Sequence, residues 1–279
     1  MNNCVASIAI DAADQAKHRC PLHSFTSRAT NKVKKIIQQF VGVLDHRMGY
    51  ALFRRLPYVQ KGANLTLTLL MDLIRRRHLD GKSEMFIQWD GASENVAKTN
   101  LRFFVWFLLM CDSKKIPLQV ITVYRLLVGH THFDVDQRHS VLSRCILGRR
   151  GPADRGRRQL HSLSAFKRVI EAAHKDLKFF AECTANYDFD TWLQSMETKL
   201  EPGLSTHLQY QLRVQNGVVF ARSKPRMSAH VPYSSWNQYW PPQRCDWIRG
   251  VQPTIPAYDS KPEVCPPQEW KDFPKVVCA

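Results

Sequence analysis

The sequence predicts an α/β fold: a mixed five-stranded sheet flanked by helices, followed by an accessory C-terminal region of helices and a hairpin. Three observations carry this. Short β-branched or aromatic runs at 5–10, 34–45, 49–54, 85–89 and 118–128 have strand character. The first three follow one another with no helix between them, a loop over 20–30 separating the first two and 47–49 placed as a hairpin turn before the third. The last two alternate with segments in which apolar residues recur at helical spacing. A hairpin meander followed by βαβ crossovers gives a mixed sheet covered by helices.

In order, the first strand (Val5 to Ile10) runs straight into Asp11, with Asp14 close behind. A strand this near the start fits a compact domain or a product lacking its natural N-terminal region. Residues 34–45 are the second strand, although their beginning also fits a helix, and 49–54 the third. Asn64 is placed to cap a helix through Leu65, Leu69, Leu70 and Leu73, ending at Arg75-Arg76-Arg77. Cations there suit a helix C-terminus as well as a phosphate backbone. The fourth strand ends in Asp90, after which Gly91 and Ser93 turn the chain into a helix over 95–111. The fifth runs through Val120, Ile121 and Val123 to Val128 and is broken by Gly129. His130, His132, Asp134 and Asp136 follow at once, before a helix carrying Val135, His139, Leu142 and Ile146. The densest set of ligand-type side chains thus sits where a strand hands over to a helix, the place where sites form in α/β sheets.

Beyond Gly148 the character changes, and the boundary is placed there: 1–148 as core, 149–279 as accessory region. A Gly/Arg-rich linker holds Arg149, Arg150, Arg155, Arg157 and Arg158. Helices are expected over 164–182 and 187–200. Asn216-Gly217 between two alternating runs is a hairpin signal, and the tail after Arg226 is rich in Pro and Trp. The net charge of +16 favours a polyanionic partner, nucleic acid in the first place. The eight cysteines form no CxxC pair, so neither a zinc ribbon nor a disulfide framework is expected. No secretory signal or spanning segment is apparent, and a soluble intracellular protein is expected.

Three aspartates hold comparable positions: Asp11 and Asp90 each close a strand, and Asp134 and Asp136 open the helix after the fifth. Carboxylates brought together repel, and three in one place make sense around a hard divalent cation. Mg²⁺ or Mn²⁺ so held supports phosphoryl transfer. Taken singly, each aspartate also reads as an ordinary turn or helix-start residue.

The runs Ile8-Ala-Ile-Asp11-Ala-Ala-Asp14-Gln, Trp89-Asp90-Gly-Ala-Ser-Glu94-Asn95 and Gly129-His130-Thr-His132-Phe-Asp134-Val-Asp136-Gln137 resemble one family. It is an uncharacterised domain of transposon-derived eukaryotic proteins, related to the RNase H-like, integrase-type transposases. The third run matches the family's Gly-His-Thr-His-x-Asp-x-Asp-Gln nearly in full. The first has Ala12 in place of glycine. The second has Gly91 in place of asparagine and an interrupted Glu-Asn-Lys-Asn segment. The resemblance implies an RNase H-like core with Asp11, Asp90 and Asp136 as the catalytic carboxylates. Asp134 competes for the third place and as a metal ligand. Asp14, Glu94, Asn95, His130 and His132 are secondary candidates. The implied activity is Mg²⁺- or Mn²⁺-dependent cleavage or strand transfer on DNA, in the nucleus, with the arginine linker on the phosphates. Two rivals remain: a catalytically inactive transposase remnant that binds nucleic acid, and a zinc hydrolase using His130-x-His132-x-Asp134, whose pattern needs a further histidine where Val135 stands.

Overall fold

Alternating side chains along the strands build one mixed sheet larger than the sequence predicts. The computed structural model describes residues 4–13, 18–20, 36–56, 59–76, 79–90, 98–126, 134–146, 162–193, 209–224 and 232–240. The chain runs β1 (Val5–Ala12), β2 (Arg19–Cys20), β3 (Ile36–Ile37), β4 (Gln39–Asp45), β5 (Gly49–Arg55), α1 (Ala63–Arg75), β6 (Glu84–Trp89), α2 (Lys98–Ser113), β7 (Val120–Arg125) and α3 (Asp134–Ile146). It continues with α4 (Leu163–Ala173), β8 (Leu177–Cys183), α5 (Phe189–Trp192), β9 (Gln209–Gln215), β10 (Val218–Lys224) and β11 (Asn237–Trp240).

Among the described residues the main sheet has nine strands, in the order β11-β10-β9-β7-β6-β1-β4-β5-β8, and β2 and β3 form a separate two-stranded ribbon. The five strands expected from sequence are its centre. β1, β4 and β5 are an antiparallel meander, and β6 and β7 run parallel to β1. The expectation of a five-stranded sheet is corrected because both edges are extended by chain after residue 149. β8 adds to β5 in parallel, and the β9–β10 hairpin adds to β7. Pairing both edges removes rows of unmet backbone N–H and C=O groups.

The helix expected over 164–182 is also corrected. α4 stops at Ala173, and Leu177 onward is strand. The segment 177–183 presents alternating side chains that pack beside β5, a long-range pairing that local periodicity does not reveal. Of the helix expected over 187–200, only Phe189–Trp192 is helical within the described residues. Asn64 does not cap α1. The helix begins at Ala63 after Gly62, and the Asn64 side chain instead accepts from the Asp190 amide at 3.1 Å, tying α1 to α5. Asn216 and Gly217 both have positive φ, 53° and 72°, as a two-residue hairpin turn requires.

The two faces of the sheet are covered differently. Ile8, Ile10, Met85, Ile87, Ile121 and Leu212 point to the side packed by α1, α2 and α5. α2 is buried on nearly all sides, and its Phe103 meets Phe107 in a stack and Phe189 edge-on. On the other face α3 lies over β1 and β4, with Ala9, Leu52, Leu142 and Ile170 in a second apolar cluster. Among the described residues no helix is long and apolar enough to cross a membrane, and Cys111, Cys145 and Cys183 are buried.

Candidate functional site

The register of β1 and β6 decides where the first two aspartates stand. Ile10 pairs with Trp89 in parallel register, and both side chains lie in the core beneath α2. The next residue on each strand is Asp11 and Asp90, so alternation turns both carboxylates to the opposite side, the side of α3. At the end of the sheet both also border a cleft on the α1 side, lined by Arg55, Lys61 and Thr66 and not by Asp136.

α3 supplies the third. Its buried face carries Val135, His139, Leu142 and Ser143, and Asp136 lies one turn before His139 on that side. Asp11 senses both partners. Burial pushes its carboxyl up to about 8, the charges of Asp136 and then Asp90 add to the rise, a hydrogen bond with Asp136 adds further, and the Ala12 backbone opposes it. A hydrogen bond between two carboxyl groups requires that one carry a proton, and Asp11 is placed to hold it. One oxygen of Asp136, Oδ2, is buried without a hydrogen-bond partner. No three His, Cys, Asp or Glu side chains among the described residues close into a ready-made metal cage.

Asp134 goes elsewhere. Two residues along a helix are about 200° apart around its axis, and Asp134 meets His46 Nε2 at 3.2 Å on the outside of the β4–β5 turn. His46 is anchored in turn by Ser7, whose Oγ lies 3.0 Å from Nδ1. Between the two candidates for the third carboxylate, the geometry brings Asp136 to Asp11 and takes Asp134 away.

The close approach of α3 depends on a glycine inside β4. Gly42 sits directly across from Asp11. A Cβ at this position would lie 2.7 Å from His139 Cε1, 2.8 Å from the Tyr50 hydroxyl and 2.9 Å from Val135 Cγ1. Without that side chain, His139 Nε2 donates to the Asp11 carbonyl oxygen at 3.2 Å. The Tyr50 hydroxyl lies 3.5 Å from the other ring nitrogen. Burial pushes the His139 pKa down, and the neutral ring accepts at Nδ1 from Tyr50 while donating at Nε2. This chain of contacts fixes the backbone of Asp11 relative to the helix that bears Asp136.

A family model for a domain of unknown function, DUF7869, matches residues 28–228. The chain belongs to that family. No curated protein and no solved structure matches it. The DUF7869 span contains Asp90, Asp136, Gly42 and His139, while Asp11 precedes it. It also runs past residue 149 through β8 and the β9–β10 hairpin, the strands that flank the central five on either side.

Of the residues singled out from sequence, Asp11, Asp90 and Asp136 converge. Asp14, Glu94, Asn95, His130 and His132 lie outside the described residues, as do Arg149, Arg150, Arg155, Arg157 and Arg158 and the tail after residue 240. Sequence reasoning missed Gly42, Tyr50, Arg55, Lys61 and, as more than a core residue, His139. The one signal available was a glycine in the middle of an otherwise β-branched strand, which marks a close approach.

Proposed function

We propose that this DUF7869 chain is a transposase-like nucleic-acid-processing protein. In this reading Asp11, Asp90 and Asp136 hold Mg²⁺ or Mn²⁺ for phosphodiester cleavage or strand transfer. The observation that carries the reading is the Asp11 carboxyl hydrogen-bonded to Asp136 beside Asp90, its pKa raised to about 8. Such a group keeps a proton where a cation would otherwise neutralise the cluster. The buried, partnerless Asp136 Oδ2 fits a cation ligand on the same grounds. Oxygen-only donors suit a hard ion and do not suit zinc. When bound, the cation supplies Lewis-acid activation of a phosphate and of the attacking oxygen.

The protein's own residues do the rest. Asp11, Asp90 and Asp136 bind the ion. His139 and Gly42 hold α3 against β1 so that the carboxylates stay together. Arg55 and Lys61, on the α1 side of the sheet end, bring beside Asp11 and Asp90 the positive charge a phosphodiester needs. The RNase H-like assignment is supported by the central strands, a meander followed by two parallel strands reached through crossovers. A nucleic-acid substrate, DNA in the first place, and a nuclear location go with the net charge of +16.

The test is cleavage of labelled DNA in Mg²⁺ or Mn²⁺ by the parent chain and by Asp90→Asn. Cleavage by the parent that disappears in the variant supports the proposal. Equal binding by both without cleavage supports the inactive remnant, and cleavage with zinc alone would transfer the activity to another centre.

A further inference from the structure

The sheet face that bears Asp11 is only half covered. α3 and α4 occupy β1, β4 and β5, while the same face of β6, β7, β9 and β10 remains partly exposed. Its side chains form three rows that follow the registers across the sheet. One row runs Ala9, Gln88, Tyr124, Gln209, Lys224; the next runs Ser7, Phe86, Thr122, Gln211, Arg222. The third runs Val5, Glu84, Val120, Arg213, Phe220. Within these four strands Glu84 is the one acidic residue on this face, at the end far from Asp11.

Flat groups are layered along its outer edge. The Arg222 guanidinium lies 4.3 Å from the Trp236 ring centre and 4.6 Å from that of Tyr233. Arg213 lies 4.6 Å from Trp236, and the Lys224 ammonium 4.9 Å from Tyr233. Arg222 is oriented by donating through Nε to Gln211 at 2.7 Å, and Gln211 donates to Thr122 at 2.9 Å. Nearer the centre, Phe86 and Tyr124 face one another at 6.0 Å. Guanidinium and ammonium groups held on rings at the outer edge, with the half-exposed Phe86 and Tyr124 nearer the centre, are what an unpaired nucleic-acid strand binds through: charge for the phosphates, ring faces for the bases.

We propose that this half-face binds an unpaired nucleic-acid strand and leads it toward Asp11. Four strand spacings separate Lys224 from Ala9, about 19 Å along a continuous surface, and Asp11 is two residues beyond Ala9 on the same side. The inference deepens the functional reading above, naming the substrate as single-stranded at the approach to the carboxylates.

The experiment is a fluorescence-anisotropy titration in EDTA with labelled oligothymidylate of about twenty nucleotides. A duplex of equal length and phosphatidylserine vesicles are run in parallel. The full chain should bind the single strand in preference to both. Arg213→Ala/Arg222→Ala should weaken that binding at least tenfold. It should also lower the slope of log affinity against log salt by about 1.4, for two lost phosphate contacts. Tyr124→Leu should weaken single-strand binding roughly fivefold or more and leave the slope unchanged. Arg222→Lys, which keeps the charge but loses the Nε–H bond to Gln211, should retain the slope, and melting curves run alongside guard against a folding artefact.

Parent-like binding by Arg213→Ala/Arg222→Ala or by Tyr124→Leu, or preference for duplex or vesicles, would overturn the proposal. Because no metal is present, failure of cleavage does not touch it. Intact, variant-sensitive binding without cleavage in Mg²⁺ would remove the catalytic reading alone.

Discussion

Raising the pH from 6.5 to 8 in EDTA should destabilise the protein through Asp11. Folded, this carboxyl holds its proton up to about 8; unfolded, it ionises around 3.8. Between those values the folded chain binds one more proton than the unfolded chain, so stability falls as pH rises, by about 1.4 kcal/mol per pH unit. His139 and His174 act in the opposite sense, since burial pushes both down, His174 to about 4. Their effect is centred on the ordinary imidazole value of 6.5, where the unfolded rings take up protons, and fades over the unit above it. Buried Cys111 and Cys183, raised to about 12 and 11, contribute only near and above 9. Between 6.5 and 8 Asp11 therefore gives the larger effect, opposed in part by the two histidines at the lower end. Over this window the net loss is about 1 kcal/mol, or roughly 2–4 °C in melting temperature for a domain of this size. Thermal unfolding followed by circular dichroism in EDTA reads this directly. Asp11→Asn should abolish the slope and melt higher than the parent at pH 8, and millimolar Mg²⁺ should flatten the parent's curve. A parent whose melting temperature is constant across this window, or an Asp11→Asn variant with the parent's slope, would refute the carboxylate cluster.

Gly42→Ala should lower stability by about 1–3 kcal/mol, because a methyl group there meets the His139 ring, the Tyr50 hydroxyl and Val135 at under 3.0 Å. By displacing α3 it should also shrink the pH slope just described. Asp136→Asn should abolish metal-dependent cleavage while Asp134→Asn leaves it within a few-fold, since Asp134 is paired with His46 outside the cluster; equal loss in both would place the third ligand wrongly. A fragment ending at residue 148 should not give a cooperative melt. It lacks β8, β9 and β10 and leaves both β5 and β7 as bare edges.

Much of the centre of this fold was legible because its strands are punctuated locally. Apolar runs end at Asp11 and Asp90, and Gly129 separates a strand from a ligand-rich helix start, so the candidate carboxylates could be named before any register was known. What local patterns do not carry is pairing. β8 follows α4 with only His174, Lys175 and Asp176 between them, and its strand character is conferred by the edge of β5, more than a hundred residues earlier. The choice between Asp134 and Asp136 needed His46, which sits on a distant turn. Gly42 reads as a weak point in a strand until Tyr50 and His139 are seen to fill the space above it. Arg213 and Arg222 stand at visible alternate positions, but the rings that order them come from residues 233–236, in a stretch with no periodicity of its own.

The most direct measurement is calorimetric titration of the metal-free protein with Mn²⁺ at pH 7, repeated in buffers of different ionisation enthalpy. Saturable binding that releases close to one proton, the one held by Asp11, and that disappears in Asp136→Asn is the result this account requires. Binding without proton release, or binding unchanged in Asp136→Asn, would contradict it.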